Sequence, residues 1–170
     1  IDMPTLTTRD IRHRILAATA PLVGTDRIMV FGCRSGPDLT AMQDQGVAAL
    51  SLPCVAALPP AFIDFVISRH HADGVLLTGC VAGDCYQRLG VEWTEQRLHG
   101  RRDPYLRRRV PRERLVTAWV GPSDQAKLAR ELAAFRERLR RLGPYRRGGN
   151  PPPITPAPAP PEDRNVTHRV

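Results

Sequence analysis

GVLLTGCVAGDCYQRLG, residues 74–90, contains an unbroken run of apolar and small residues that ends in two cysteines. Such a run is typical of a strand that is covered on both faces of a sheet. Cys80 and Cys85 follow it directly and are separated by four residues. A strand that only completes a core needs no thiols at its exit. This stretch therefore predicts a buried parallel strand with a functional site at its carboxyl end.

Three other segments are predicted to be strands of the same sheet. They are the apolar run at residues 28–31 and the segments 46–54 and 113–121. Helical patterns lie between and after these strands. Strands that alternate with helices predict an α/β fold, a small three-layer parallel sheet with flanking helices.

The N-terminal segment TTRDIRHRILAATAP, residues 7–21, predicts a short amphipathic helix. Thr7 or Thr8 would cap it, and Ile11 and Ile15 lie on one face. The pattern is compatible with a helix packed on its own domain and equally with one docked on a partner.

Two longer helical regions are predicted downstream. One covers residues 59–71, and the other runs from an N-cap at Ser123 through Leu142. The stretch 87–114 is polar and rich in Arg, and its pattern predicts a helix interrupted near Gly100 and Pro104. A solvated face and a docking surface for an acidic partner are both open for that stretch.

Composition divides the chain into three parts. We expect an N-terminal helical arm at 1–24, one α/β domain at 25–145 and a Pro-rich tail at 146–170. The tail sequence GGNPPPITPAPAPPEDRNVTHRV favours an extended polyproline II chain, which is expected to lie along a neighbouring subunit.

The charge of the chain is strongly basic, at +8, with 25 basic against 17 acidic residues. A basic face suits an acidic protein, an anionic membrane surface or RNA. Aromatic residues make up only 5% of the chain, which leaves few stacking platforms, so we expect no nucleic-acid partner. No apolar run approaches the roughly 20 residues that a membrane-spanning helix needs.

All four cysteines are predicted to follow strands. Cys33, Cys54 and Cys80 end the first three strands, and Cys85 comes just after Cys80. The carboxyl ends of parallel strands share one edge, so the four thiols should meet there. Thiolates select soft metals, and an iron–sulfur cluster or zinc is the expected occupant.

Several chemistries remain open for these thiols. Dispersed cysteines favour a [2Fe–2S] cluster, whereas structural zinc sites use two short Cys-x2–4-Cys pairs and only one is approximated here. Disulfides would need an oxidising compartment, for which no secretory signal is visible. Buried, inert thiols are the remaining alternative. Glycines beside the cysteines (Gly32, Gly36, Gly79 and Gly83) would let the backbone approach sulfur closely.

The segments RIMVFGC, SLPC, ADGVLLTGCVAGDCY and RLVTAWV together resemble the delta subunit of methyl-viologen-reducing hydrogenase. The resemblance covers residues 26–142, and its most specific part is the GC-x4-C motif. It implies a [2Fe–2S] domain that passes electrons between a hydrogenase and heterodisulfide reductase. By this resemblance the cluster ligands are Cys33, Cys54, Cys80 and Cys85. The family has Cys-x-x-Cys after its first strand, whereas here Gly36 stands at the second position.

The function we expect is that of a non-catalytic electron-transfer subunit within a multi-subunit oxidoreductase complex. The resemblance implies other redox subunits as partners: a flavin-containing reductase subunit, ferredoxin-like domains and a hydrogenase. A respiratory membrane complex, bound from its cytoplasmic side, is a further partner, and we expect a cytoplasmic location. The alternative is a structural adaptor whose cluster has been lost or altered with the cysteine at position 36, or which holds zinc.

Overall fold

A four-stranded parallel sheet forms the centre of the computed structural model, which describes residues 6–145. The strands are β1 (Ile28–Cys33), β2 (Val47–Leu52), β3 (Gly74–Gly79) and β4 (Leu115–Trp119). The helices are α1 (Thr8–Thr19), α2 (Ala61–Ser68), α3 (Gly90–Leu98) and α4 (Gln125–Leu142). In space the strands follow the order β2-β1-β3-β4, so β1 and β3 are the inner strands. Every residue of these two strands is buried, as their unbroken apolar runs predict.

Helices cover both faces of the sheet. α1, α2 and α3 pack on one face, where Ile11 and Ile15 are buried in the same cluster as Phe31 of β1. α4 packs on the other face, where Phe135 is buried with Val30. The prediction of a three-layer parallel α/β fold is confirmed. Of the two possibilities for the first helix, the structure shows the one in which α1 packs on its own domain.

The two predicted N-caps have different outcomes. Thr7 caps α1, since its Oγ1 accepts a hydrogen bond from the Asp10 N–H at 3.1 Å and its own N–H donates to the Asp10 carboxylate at 2.9 Å. The N-cap predicted at Ser123 is wrong. A turn in which the N–H of Asp124 bonds the carbonyl of Gly121 delays the helix, so that Asp124 takes the N-cap position of α4.

The stretch 87–114 contains α3, a loop and a single 3₁₀ turn at Arg112–Arg114, so the helix breaks near Gly100 as predicted but does not continue as an α-helix beyond it. α3 ends at Leu98, and Gly100 follows with φ +74°, a left-handed conformation that stops a helix. The loop beyond buries Leu106 and Val110 in the core, which fixes it without helical structure.

Part of the Arg-rich stretch binds within the domain. Arg109 and Arg107 both form ion pairs with the buried carboxylate of Asp64 on α2. The guanidinium of Arg102 lies 4.2 Å from the centroid of the Trp93 ring. These arginines attach the 101–114 loop to the first helical layer, so they are not all free for a partner.

No helix in residues 6–145 is long and apolar enough to cross a membrane. The Pro-rich tail at 146–170 and the first five residues of the expected arm lie outside the described residues.

Candidate metal centre

The four cysteines lie along the carboxyl edge of the sheet. Cys33 is the last residue of β1, Cys54 comes two residues after β2, and Cys80 follows β3 directly. Cys85 lies on the loop between Cys80 and α3. Because β1 lies between β2 and β3, Cys33 is placed between the exits that carry Cys54 and Cys80.

Cys33 and Cys54 form a hydrogen-bonded thiol pair. The Cys33 thiol donates to the Cys54 sulfur, and the N–H of Ala56 donates to it as well, so the pKa of Cys54 falls to about 6 despite partial burial. The bond to Cys54 and burial raise the pKa of Cys33. Cys33 also accepts a hydrogen bond from the N–H of Val55 at 3.1 Å. The turn Val55–Ala57 therefore directs two backbone donors at two sulfur atoms.

Cys80 is buried and lies directly after the end of β3, on the side of Cys33 that faces away from Cys54. It is close enough to Cys33 for the electrostatic interaction between the two groups to add to the raised pKa of Cys33. The Cys33 sulfur lies against Gly79, the residue before Cys80, where a Cβ would be 2.8 Å from that sulfur. Gly36 also approaches Gly79 closely, and a Cβ at Gly36 would lie 3.1 Å from the Gly79 backbone. The position at which the family has a second cysteine is thus packed tightly against β3.

Cys85 approaches the set from the side of Cys54. Both sulfur atoms lie against Gly90, the first residue of α3, where a Cβ would be 2.6 Å from the Cys54 sulfur and 3.2 Å from the Cys85 sulfur. The spacing of these two thiols therefore requires a glycine at this position. Cys33 contacts Cys54, Cys54 and Cys85 share Gly90, and Cys80 lies beside Cys33.

Arg97 of α3 supports the turn that donates to the sulfurs. Its Nη1 donates to the carbonyl of Ala56 at 2.7 Å. Its Nε is buried and has no hydrogen-bond partner among the described residues. Burial and the neighbouring Arg102 lower the pKa of Arg97. A cationic group is therefore held behind the donor turn.

The donor set fits an iron–sulfur cluster in its chemistry. All four cysteines are free thiols, so none is committed to a disulfide. Sulfur ligands, glycine cradles and N–H donors are the features with which proteins hold such clusters. Within residues 6–145 no three or more Cys, His, Asp or Glu side chains surround a single point as they would a metal ion. The thiols lie near one another along one edge of the sheet.

The glycines predicted to help the site have separate roles. Gly79 and Gly36 allow close packing beside Cys33, whereas a Cβ at Gly32 would meet the core side chain of Leu39 at 2.8 Å. Gly83 has open space around it and φ +87°, so it serves the turn of the loop. Sequence reasoning missed Gly90. Its only sequence signal is a glycine at the start of a helix, five residues after Cys85.

The loop 81–89 between β3 and α3 carries exposed apolar side chains. Val81, Tyr86 and Leu89 are exposed there, and Tyr86 reaches 76%. An apolar surface next to a cysteine site is typical of a contact with another protein.

Comparisons with known proteins point to one family. Residues 38–143 match the family model described as methyl-viologen-reducing hydrogenase, delta subunit. This range includes Cys54, Cys80 and Cys85 and begins after Cys33. The iron-sulfur subunit of an F420-non-reducing hydrogenase from Archaeoglobus profundus is 28% identical over 100 residues, which is 59% of this chain and 72% of the relative. The iron-sulfur subunit of the vhc F420-non-reducing hydrogenase from Methanococcus voltae is 24% identical over 98 residues, 58% of this chain and 67% of the relative.

Proposed function

Because the chain belongs to the methyl-viologen-reducing hydrogenase delta subunit family, we propose that it is an electron-transfer subunit with a [2Fe–2S] cluster. It would work inside a multi-subunit oxidoreductase complex of the hydrogenase type. The observation that carries the proposal is that Cys33, Cys54, Cys80 and Cys85 lie along one edge of the sheet, with Cys54 and Cys80 close enough to Cys33 to change its pKa and with Cys54 and Cys85 both against Gly90.

Each group at the site has a separate task. Cys33, Cys54, Cys80 and Cys85 would hold the cluster, which supplies one-electron redox chemistry when bound. Val55 and Ala56 direct N–H groups at the sulfurs of Cys33 and Cys54. Donors of this kind stabilise negative charge on sulfur and so raise the reduction potential. Gly90 keeps the space in which Cys54 and Cys85 approach each other.

A redox partner would dock on the loop 81–89. Val81, Tyr86 and Leu89 offer an apolar contact next to Cys85, which is itself partly exposed. A partner bound there would lie close to the loop that carries Cys85, and a short distance between redox groups favours electron exchange. The relatives named as hydrogenase iron-sulfur subunits suggest other hydrogenase-complex subunits as the partners, in the cytoplasm or on the cytoplasmic face of a membrane complex.

The second candidate is an adaptor subunit without a cluster or with zinc. It is favoured by the glycine at position 36, whose site is closed by packing against Gly79. It is also favoured by the family match, which begins at residue 38.

Metal analysis of anaerobically purified protein separates the two candidates. The cluster predicts about two iron and two sulfide per chain and a paramagnetic S = 1/2 signal after one-electron reduction. Ser51→Ala, a small change on the neighbouring edge strand, is the matched control for Cys54→Ser and should keep its iron. Stoichiometric zinc without iron, or neither metal after reconstitution with iron and sulfide, would reject the proposal in favour of the adaptor.

A further inference from the structure

An open groove with a cavity volume of about 840 Å³ lies between α1 and α2 on the outer surface of the first helical layer. Leu16, Phe62 and Phe65 form its apolar part. The two phenylalanine rings meet edge to face with centroids 6.3 Å apart, and the ring of His71 lies 4.7 Å from that of Phe65. The groove is therefore lined by three aromatic rings and is separate from the cysteines.

The rim of this groove is positively charged. Arg9, Arg12 and Arg69 line it, and no carboxylate is among the described residues that do so. The guanidinium of Arg12 lies 5.3 Å from the centre of the Phe65 ring. Burial lowers the pKa of His71, and the positive charges of Arg12, Arg27 and Arg69 lower it further. The groove therefore suits an extended apolar segment that carries negative charge.

The described chain ends beside the groove. The ring of Tyr145, the last described residue, lies 5.7 Å from that of His70, and Arg114 lies 5.6 Å from the Tyr145 ring centre. His71, the next residue after His70, lines the groove. The described part of the chain therefore ends close to the rim, and residues 146–170 follow Tyr145 in the sequence.

The sequence of that segment has the chemistry that the groove suits. Seven prolines lie between Pro151 and Pro161, and Glu162 and Asp163 follow them. Proline-rich chains in polyproline II form bind aromatic-lined grooves and lose little entropy in doing so. At about 3.1 Å per residue, a dozen residues reach roughly 37 Å, which is ample for a groove that starts at the rim.

We propose that residues 150–163 bind the α1–α2 groove of their own chain. The prolines pack on Phe62 and Phe65, and the carboxylates of Glu162 and Asp163 pair with the arginines of the rim. Attachment through the chain gives an effective concentration in the millimolar range, so a weak contact is enough. The inference does not depend on a cluster at the cysteines.

Fluorine NMR of the full chain labelled with 4-fluorophenylalanine tests this directly. The protein has four phenylalanines: Phe62 and Phe65 line the groove, while Phe31 and Phe135 are fully buried in the two cores. The buried pair reports whether each variant is folded. The variants are Glu162→Gln with Asp163→Asn, and a chain that stops after Gly149.

The proposal expects the Phe62 and Phe65 resonances to move in both variants while those of Phe31 and Phe135 stay in place. The charge variant should produce part of the shift and the truncation all of it. In an Arg12→Gln background, the charge variant should shift the groove resonances less than it does in the wild type. Arg12 would already be absent as an ion-pair partner for the carboxylates that the charge variant removes. Identical groove resonances in the full and truncated chains would overturn the proposal. A shift that grows with protein concentration would also overturn it, because it would place the tail of a second copy in the groove.

Discussion

The two halves of the cysteine set are built differently. Cys33 ends β1 and Cys54 lies two residues after β2. The two are hydrogen-bonded to each other and accept hydrogen bonds from the N–H groups of Val55 and Ala56. Cys85, at the other end of the set, lies on an exposed loop after β3, and its only close constraint among those described above is Gly90.

The difference indicates how one site combines rigidity with access. Cys33 is held in the sheet ladder, where it pairs with Leu52 of β2, and Cys54 follows that strand by two residues, so these thiols are expected to keep their positions without a metal. A loop gives less order but brings a ligand to the surface, where a partner docks. A pre-positioned half and an adaptable half are therefore expected to respond differently to substitution.

The largest expected effect is the loss of iron on removal of a thiol. Cys54→Ser and Cys85→Ser should each lower the iron content to below about a tenth of the wild-type value, because a cluster held by four thiolates binds poorly when one of them is lost. The metal-free forms should differ in heat stability. Cys33→Ser buries a hydroxyl and should cost about 1–3 kcal/mol, whereas Cys85→Ser should change little.

Iron assays and thermal melts of the metal-free variants check this contrast. Equal destabilisation by Cys33→Ser and Cys85→Ser would remove the distinction between the two halves.

Gly90→Ala tests the point at which the halves meet. A methyl group there would lie 2.6 Å from the Cys54 sulfur and 3.2 Å from the Cys85 sulfur, so the thiols must move apart. Iron content should fall several-fold, although alanine at the start of a helix normally stabilises it by up to about 1 kcal/mol. Glu92→Ala, on the exposed side of α3, is the matched control. Full iron content in Gly90→Ala would show that this contact does not matter.

The acidity of Cys54 should make it the first thiol to react in the metal-free protein. Its pKa of about 6 leaves it mostly ionised at neutral pH, whereas an ordinary thiol with a pKa of 9.0 is protonated. Alkylation of Cys54 should therefore level off above about pH 7, while that of an unstructured cysteine peptide added to the same sample should keep rising through pH 8. Peptide mapping after a short iodoacetamide pulse measures both. Cys33→Ser is the control. It replaces the thiol that donates to the Cys54 sulfur, so the pH at which alkylation of Cys54 levels off should change.

The same shift has a defined sign for stability. The folded pKa of Cys54 lies below its unfolded value, so its contribution grows between pH 6 and pH 9 and is lost as the pH falls through 6. The raised pKa of Cys33 acts in the opposite direction and lowers stability above pH 9. Urea unfolding of the metal-free protein should therefore show higher stability at pH 8 than at pH 6. A flat profile would contradict the hydrogen-bonded pair.

The smallest expected effect is electrostatic and comes from Arg97. Arg97→Met removes the bond to the Ala56 carbonyl and a partly buried charge behind the donor turn. Loss of about 0.5–1 kcal/mol in stabilisation of the reduced state corresponds to a potential lower by about 20–45 mV for a one-electron couple. Redox titration by electron paramagnetic resonance measures it. Arg101→Met, an exposed arginine on the following loop, is the control, and an equal shift in both variants would indicate a general charge effect.

Much of the architecture could be predicted because it follows from local patterns. The apolar runs of β1 and β3 indicate inner strands, and the helical spacing of Leu128, Phe135 and Leu139 indicates the buried side of α4. The predicted N-cap at Ser123 was wrong because a turn at Gly121 shifts the helix start by one residue. The second helical segment expected before Arg114 was wrong because burial of Leu106 and Val110 holds that stretch as a loop.

The sequence by itself determined that the cysteines share one edge, since in a parallel sheet every strand exit points the same way. Only the tertiary structure decided which thiols are neighbours, because that depends on the strand order that places β1 between β2 and β3. The role of Gly90 comes from its contact with Cys54, and the role of Arg97 from its bond to Ala56. Both partners are distant in the sequence. The groove between α1 and α2 likewise forms only through contacts between residues that are distant in the sequence. Local patterns encode the direction and burial of each element, whereas side-chain contacts between distant segments arise only when the layers pack.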